Sequence, residues 1–256
     1  MSSERTQSTD ARQSSDARQS TDARQSTDAR QGAVTKENVV FEWQSMQRAV
    51  QQRVIGIVRT EDAASAIEAT AALVGAGLLS VELTLTNPAA LEAISQTVTA
   101  HPDAVIGAGS VLDGPSAVAA IRAGAKYLVS PTLSTEMIVA ARRYGVPTIV
   151  GTASPTEMLT AMEAGAAAVK LFPASSFSPR WISDVRAALP QLPIIPTGGV
   201  TPENAADWLA AGAVAVGIGS ALTRGPADEA AQRIRTLLDA IGSVADDHGS
   251  QPVTPR

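Results

Sequence analysis

Three observations predict a single α/β domain built as a (β/α)8 barrel of TIM type. Eight short apolar runs alternate with alanine-rich helical stretches. Several of those stretches stop at an Ala-Gly step. No G-x-G-x-x-G follows the first run, where an open, doubly wound nucleotide-binding sheet would carry it. Eight such strand–helix units close on themselves because helices then cover the outer face of every strand.

The chain begins with a repeat of six residues, SSERTQ, STDARQ, SSDARQ, STDARQ, STDARQ, from Ser2 to Gln31. It is polar and lacks large apolar side chains, so it cannot bury enough surface to offset the entropy of ordering. A period of six rotates by roughly 240° on a helix and builds no continuous face. Residues 1–36 are therefore expected to form a disordered tail. From Glu37 to Gln51 the spacing predicts an N-terminal helix with Val40, Trp43, Met46 and Val50 on one side.

The barrel is expected over residues 37–242. Its strands are read at Val54–Val58, Leu79–Leu85, Ala104–Ile106, Tyr127–Val129, Thr148–Val150, Ala168–Phe172, Ile194–Pro196 and Ala213–Ile218. Helical patterns between them include Ala63–Ala76, Ala89–Ala100 and Ser116–Ala123. The steps Ala76-Gly77, Ala123-Gly124, Ala164-Gly165 and Ala211-Gly212 supply left-handed caps just past the last turn. Residues 243–256 are polar, contain proline and are expected to be a flexible C-terminal tail.

Composition narrows the chemistry. Of 256 residues, 45% are hydrophobic, enough for one sizeable core. A net charge of −5 gives no support for nucleic-acid or anionic-membrane partners. With no cysteine, disulfides and thiolate chemistry are excluded, and two histidines, His101 and His248, argue against a metal site or a Ser-His-Asp triad. There is no apolar leader and no uninterrupted apolar run of about 18 residues. The expectation is a soluble, cytoplasmic protein.

In a barrel, catalysis belongs at the C-terminal ends of the strands. Lys170 stands in the apolar run AAAVKLFP and is one of three lysines in the chain. An enclosed lysine is more easily held as the neutral amine that imine chemistry requires. Its alternatives are a carboxylate partner or a side chain snorkelling to the rim. In SVELTLT the residues alternate, so Glu82, Thr84 and Thr86 would face the lumen while Val81, Leu83 and Leu85 face the helices. An inward carboxylate is costly unless used as an acid/base or paired, here with Lys170 as a buried ion pair. Arg59 ends the first strand, where a guanidinium could grip a carboxylate in two parallel hydrogen bonds. Thr197-Gly198-Gly199-Val200-Thr201 and Gly217-Ile218-Gly219-Ser220 follow the seventh and eighth runs, the usual phosphate position of the fold. Gly107-Ala108-Gly109-Ser110 adds a hydroxyl at the same face.

Taken together, VIGIVR, VELTLTNP, VIGAGSVL, YLVSPTL, VKLFPASSF, IIPTGGVTPEN and AVGIGSAL resemble, in this order and spacing, the class I aldolases for 2-keto-3-deoxy-6-phosphogluconate and 4-hydroxy-2-oxoglutarate, and their relatives for 6-phosphogalactonate. The resemblance runs from about Arg53 to Gly225. It implies Lys170 as the Schiff-base lysine and Glu82 as general acid/base. It further implies Arg59, Thr84, Thr86, Ser110, Pro131 and Phe172 as substrate-binding residues, with Arg59 and Ser110 orienting the keto acid, and Gly198, Gly199, Gly219 and Ser220 around the phosphate. Ser110 replaces a threonine, and Thr86 stands where other members carry a carboxylate-binding arginine, a job this reading gives to Arg59. The resemblance also implies no metal, no cofactor, a phosphorylated keto sugar acid as substrate and a homotrimer. FPASSFSPRWI and GGVTPEN resemble the galactonate branch, and VELTLTNP and AVGIGSAL the gluconate branch, which is placed first. Outside the aldolases, the alternatives are a phosphate-binding barrel isomerase or decarboxylase, and a non-catalytic binder of sugar acids.

Overall fold

Each of the eight apolar runs contributes a strand, and neighbouring strands pair in parallel. In the computed structural model, which describes residues 42–247, the strands are β1 (Val54–Val58), β2 (Ser80–Thr84), β3 (Val105–Gly109), β4 (Leu128–Val129), β5 (Thr148–Thr152), β6 (Ala168–Leu171), β7 (Ile194–Pro196) and β8 (Val216–Ile218). Their order is β7-β6-β5-β4-β3-β2-β1-β8. A parallel bridge between Thr197 and Gly217, and Val214 N–H donating to Ile194 O at 3.0 Å, join the two outermost strands and complete a TIM-type (β/α)8 barrel. The hexapeptide tail, Lys36, the first residues of the helix expected from Glu37, His248 and residues 249–256 lie outside the described residues.

The helices are α1 (Glu42–Val50), α2 (Ala63–Gly75), α3 (Ala90–Ala100), α4 (Gly114–Arg122), α5 (Thr135–Arg142), α6 (Pro155–Ala164), α7 (Pro179–Ala188), α8 (Ala205–Ala210), α9 (Ser220–Thr223) and α10 (Ala227–Asp247). All four Ala-Gly steps end helices by one device. Gly77, Gly124, Gly165 and Gly212 have φ of 101°, 103°, 101° and 105°. After each glycine the chain doubles back: Leu78, Ala125, Ala166 and Ala213 donate N–H to the carbonyls of Leu73, Ala120, Ala161 and Trp208, at 3.1, 3.1, 3.0 and 3.1 Å. This Schellman pairing satisfies last-turn carbonyls and turns the chain towards the next strand. It also explains why β8 is shorter than the run Ala213–Ile218 suggested, since Ala213 closes the turn. The start signals are as local. Asp62, Asp113, Ser134 and Ser154 each accept a backbone N–H three residues on, capping α2, α4, α5 and α6.

Two apolar layers hold the barrel. The larger lies between strands and helices and includes Val54, Leu83, Ile106, Val150, Leu171 and Ile218. The smaller fills the lower lumen with Ile55, Val105, Tyr127, Val129, Ile149, Ala168, Ile195 and Ala215, against Ala49, Met46 and Val50 of α1. The N-terminal helix thus plugs the barrel base. Its inward stripe differs from the sequence expectation: Ser45 and Ala49 are buried, whereas Trp43 is 58% exposed. The lumen beneath is already filled by Tyr127 and the Ile layer, and small side chains let the helix sit close. At the other terminus α10 continues to Asp247, five residues beyond the predicted start of the flexible tail, because nothing in Ser243–Asp247 breaks a helix.

Candidate active site

Side chains two apart on a strand share a face. Ile55, Ala168 and Ile195 belong to the inner layer, so Ile57, Lys170 and Thr197 stand directly above them, towards the mouth. Ser80 leads to Glu82 in the same way. Above the apolar floor lies a cavity of about 440 Å³ lined by Ile57, Arg59, Glu82, Lys170, Phe172, Thr197 and the turns after β7 and β8. Lys170 is 6% exposed and Glu82 3%. Among the described residues the N–O pair within 4.0 Å is Arg180 with Asp184, on the surface. Lys170 and Glu82 therefore share the cavity without forming the buried ion pair that the sequence left open. Lys170 Nζ lies 4.9 Å from the centre of the Phe172 ring, close enough for its π-face to support charge on nitrogen.

Glycines on β3 make the room. A Cβ added at Gly109 would overlap the Glu82 carboxyl, and one at Gly107 would overlap the Tyr127 ring. The lumen is thus layered: Tyr127 below, Glu82 above, each seated against a residue with no side chain. Ser80 Oγ donates to Tyr127 Oη at 3.2 Å. Burial, reinforced by the neighbouring Glu82 charge and opposed by Ser80, pushes the Tyr127 phenol above its ordinary range. It stays a neutral floor.

The turn after β7 is tied down by its oxygens. Thr197 O and Gly198 O accept N–H bonds from Ala174 and Ser175 at 2.8 and 2.7 Å, and Gly199 O accepts Asn204 Nδ2 at 3.3 Å. Asn204 Oδ1 in turn accepts Thr201 N–H at 2.9 Å. Gly198 and Gly199 adopt φ of 83° and 95°, and among the described residues their N–H groups have no hydrogen-bond partner. Gly198, Gly199 and Ser220 line one cavity, and N–H groups without a protein partner there can bind an anion.

The structure brings together Lys170, Glu82, Arg59, Phe172, Gly198, Gly199, Gly219 and Ser220 around one space. It does not place Thr84, Thr86, Ser110 or Pro131 on the cavity wall. Thr84 is buried and shares a 3.0 Å hydroxyl contact with exposed Thr86. Ser110, just past β3, is half-buried with φ of 58°, a left-handed conformation uncommon outside glycine. The Pro131 backbone packs against Gly151, which has no side chain to block it. Ile57, Thr197, Thr201 and Arg224 line the cavity but were not singled out in the sequence. Period two from Ile55 and Ile195 would have found the first two, whereas Arg224 follows a short helix and carries no periodic signal. Among the described residues no three His, Asp or Glu side chains cluster as a metal site would need, and no helix is long and apolar enough to cross a membrane.

An enclosed amine, an enclosed carboxylate and unpartnered N–H groups at one barrel mouth suit chemistry on an anionic carbonyl compound. Comparison with known proteins makes this specific. The family profile of KDPG and KHG aldolases matches residues 46–237. The chain is 37% identical to the 2-dehydro-3-deoxy-6-phosphogalactonate aldolase of Escherichia coli over 77% of its own length and 100% of that enzyme's. It is 31% identical to the 2-dehydro-3-deoxy-phosphogluconate aldolase of Pseudoalteromonas atlantica, covering 78% and 93%. A solved KDPG aldolase from Legionella pneumophila, with pyruvate captured as a covalent carbinolamine, superimposes with a TM-score of 0.68 at 26% identity over 79% and 98% of the two chains. The chain belongs to the KDPG and KHG aldolase family and is a carbon–carbon lyase of the class I aldolase type.

Proposed function

We propose that this enzyme cleaves 2-dehydro-3-deoxy-6-phosphogluconate to pyruvate and glyceraldehyde 3-phosphate, and 4-hydroxy-2-oxoglutarate to pyruvate and glyoxylate, through an imine on Lys170. The observation that carries the proposal is the enclosure of Lys170 and Glu82, unpaired with each other, over a closed apolar floor. Neutral Lys170 Nζ attacks the C2 ketone. The carbinolamine loses its hydroxyl as water, with Glu82 moving the protons, and leaves a protonated imine. Glu82 then takes the proton of the C4 hydroxyl. The C3–C4 bond breaks, its electrons flow into the imine, and the aldehyde departs. Protonation of the enamine at C3 and hydrolysis release pyruvate and regenerate the amine. The covalent intermediate divides one high barrier into several lower ones.

Arg59 grips the keto-acid carboxylate beside Phe172 on the same wall, which lowers the entropic part of the barrier; Thr84, Thr86, Ser110 and Pro131 are kept near the substrate on the family resemblance alone. Gly198, Gly199, Gly219 and Ser220 hold the phosphate. The 37% identity to the galactonate enzyme, over that enzyme's full length, supports a second reading in which the C4 epimer, 2-dehydro-3-deoxy-6-phosphogalactonate, is cleaved instead. A structural relative at TM-score 0.71 is a protein cage designed by fusing symmetric oligomeric domains, which supports a homo-oligomer, here proposed as a trimer.

The test is to incubate the protein with pyruvate and sodium borohydride, weigh it intact and map the adduct. A reduced pyruvyl group on Lys170 supports the mechanism; a folded, unmodified protein removes it. Pyruvate release from the two C4 epimers, measured side by side, then decides between the substrates.

A further inference from the structure

The cavity wall owes its shape at the phosphate end to a residue outside it. Ser220 opens α9, a helix of four residues too short to pair its own last carbonyls. Arg233, on the adjacent α10, takes them. Its Nη1 donates to Leu222 O at 2.9 Å, Arg224 O at 3.0 Å and Ala221 O at 3.3 Å, and its Nη2 donates to Arg224 O at 3.1 Å. One guanidinium thus fastens three successive parts of the segment that bears Ser220 at one end and Arg224 at the other. Both residues line the cavity. Among the described residues, the Arg224 guanidinium makes no ion pair within 4.0 Å and no hydrogen bond, and Glu203 is the carboxylate near enough to feel its charge and that of Arg233.

A phosphate monoester carries about −1.5 to −2 charges near neutral pH. The free N–H groups of Gly198 and Gly199 offer dipoles but no net charge. The remaining cations on the cavity wall are Lys170, committed to the carbonyl, and Arg59, committed to the carboxylate. We propose that Arg224 is the cation that selects the phosphorylated substrate, and that Arg233 is the positioning residue that aims it by clamping the Ser220–Arg224 segment. The fork of a guanidinium suits this task, because it reaches several carbonyls in one plane, which an ammonium does not.

The inference rests on the aldolase reading for its substrates, so the test has a part that does not. With the full chain, kcat and KM are measured for a phosphorylated 2-keto-3-deoxy sugar acid and for its unphosphorylated counterpart. Inorganic phosphate binding is measured by calorimetry. In Arg233→Gln the ratio of the two kcat/KM values falls at least about tenfold, chiefly through KM of the phosphorylated substrate, as expected when one charge-assisted contact is misplaced. Phosphate affinity weakens in parallel, and Arg233→Lys falls between parent and Gln. Arg224→Gln lowers the ratio as well, and adding Arg233→Gln to it costs little more, because the second residue acts through the first. Arg235→Gln removes a charge from the same helix, where among the described residues Arg235 bonds Gln232, and leaves the ratio unchanged. An equal loss on both substrates, or additive effects of the two changes, would overturn the proposal. If Arg233→Gln does not fold, Arg233→Lys and Arg224→Gln still decide, since a parental ratio in either is fatal. If the parent chain cleaves nothing, weakened phosphate binding in Arg233→Gln would still uphold the clamp while the aldolase reading falls; unchanged phosphate binding in that variant would remove the clamp alone.

Discussion

The two ends of the barrel are made by the same strands and behave as different materials. At the base, lumen positions are Ile55, Val105, Ile149, Ala168, Ile195 and Ala215, packed against α1 with almost no solvent access. One residue pair further along, the same faces carry Ile57, Gly107, Gly151, Lys170, Thr197 and Gly217. The base is filled for stability; the mouth is emptied by glycine and then given a few polar groups. The difference teaches that catalytic groups in this fold are placed by counting up from a rigid floor, and that floor and mouth should respond differently to substitution.

Four changes probe that division directly. Lys170→Ala is expected to lower turnover by at least about 10⁴-fold, as loss of a covalent nucleophile does, and to abolish the borohydride adduct while the denaturation midpoint holds. Retained turnover would end the imine assignment. Glu82→Gln should cost roughly 10²–10⁴-fold in kcat, the range for a positioned acid/base, in steady-state assays. Gly109→Ala belongs to both regions, since its methyl group displaces the Glu82 carboxyl. It should lower kcat along with stability, by about 1–3 kcal/mol in urea unfolding, and an unaltered kcat would show that Glu82 is not held by that contact. Ile195→Ala lies in the floor; about 2–5 kcal/mol of stability should go while KM for substrate barely moves.

The smallest effect is far from the lumen. Ser154 caps α6, accepting Glu157 N–H at 3.3 Å, and Ser154→Ala should cost about 1 kcal/mol without kinetic consequence. The Ala153 N–H, and after it the Ser154 hydroxyl, hold the Glu157 carboxyl below its ordinary range. A depressed carboxyl stabilises the fold above its unfolded pKa, and that contribution fades as pH falls through the folded value. Acid unfolding of Glu157→Gln should therefore show a shallower stability loss below about pH 4.5 than the parent.

Much of this was legible because its causes are local. An Ala-Gly step that follows a helical run ends the helix by local geometry, and strict alternation in SVELTLT puts Glu82 inside. The misses have non-local causes. Trp43 faces outward because Tyr127, far along the chain, already occupies the lumen beneath α1. Tyr144-Gly145 ends α5 with the same doubling back, Val146 N–H to Ala141 O at 3.2 Å, but the step is not Ala-Gly and was not read as a stop. Thr84, Thr86, Ser110 and Pro131 come to the substrate through resemblance alone, since neither periodicity nor the cavity lining gives them that role. Arg233 is one charge among several on an amphipathic helix; only the carbonyls it meets across space give it a task.

The shut floor also sets a queue. A cavity with a sealed bottom works as a stack, last in and first out. Under the proposed chemistry the keto-acid end lies deep, bonded to Lys170, and the phosphate end lies towards the rim. Glyceraldehyde 3-phosphate then leaves first and pyruvate second, and in the synthetic direction pyruvate must be loaded before any aldehyde. Excess aldehyde in that direction would jam the doorway ahead of pyruvate, so substrate inhibition by the aldehyde, relieved by raising pyruvate, is the traffic pattern that such a dead end imposes.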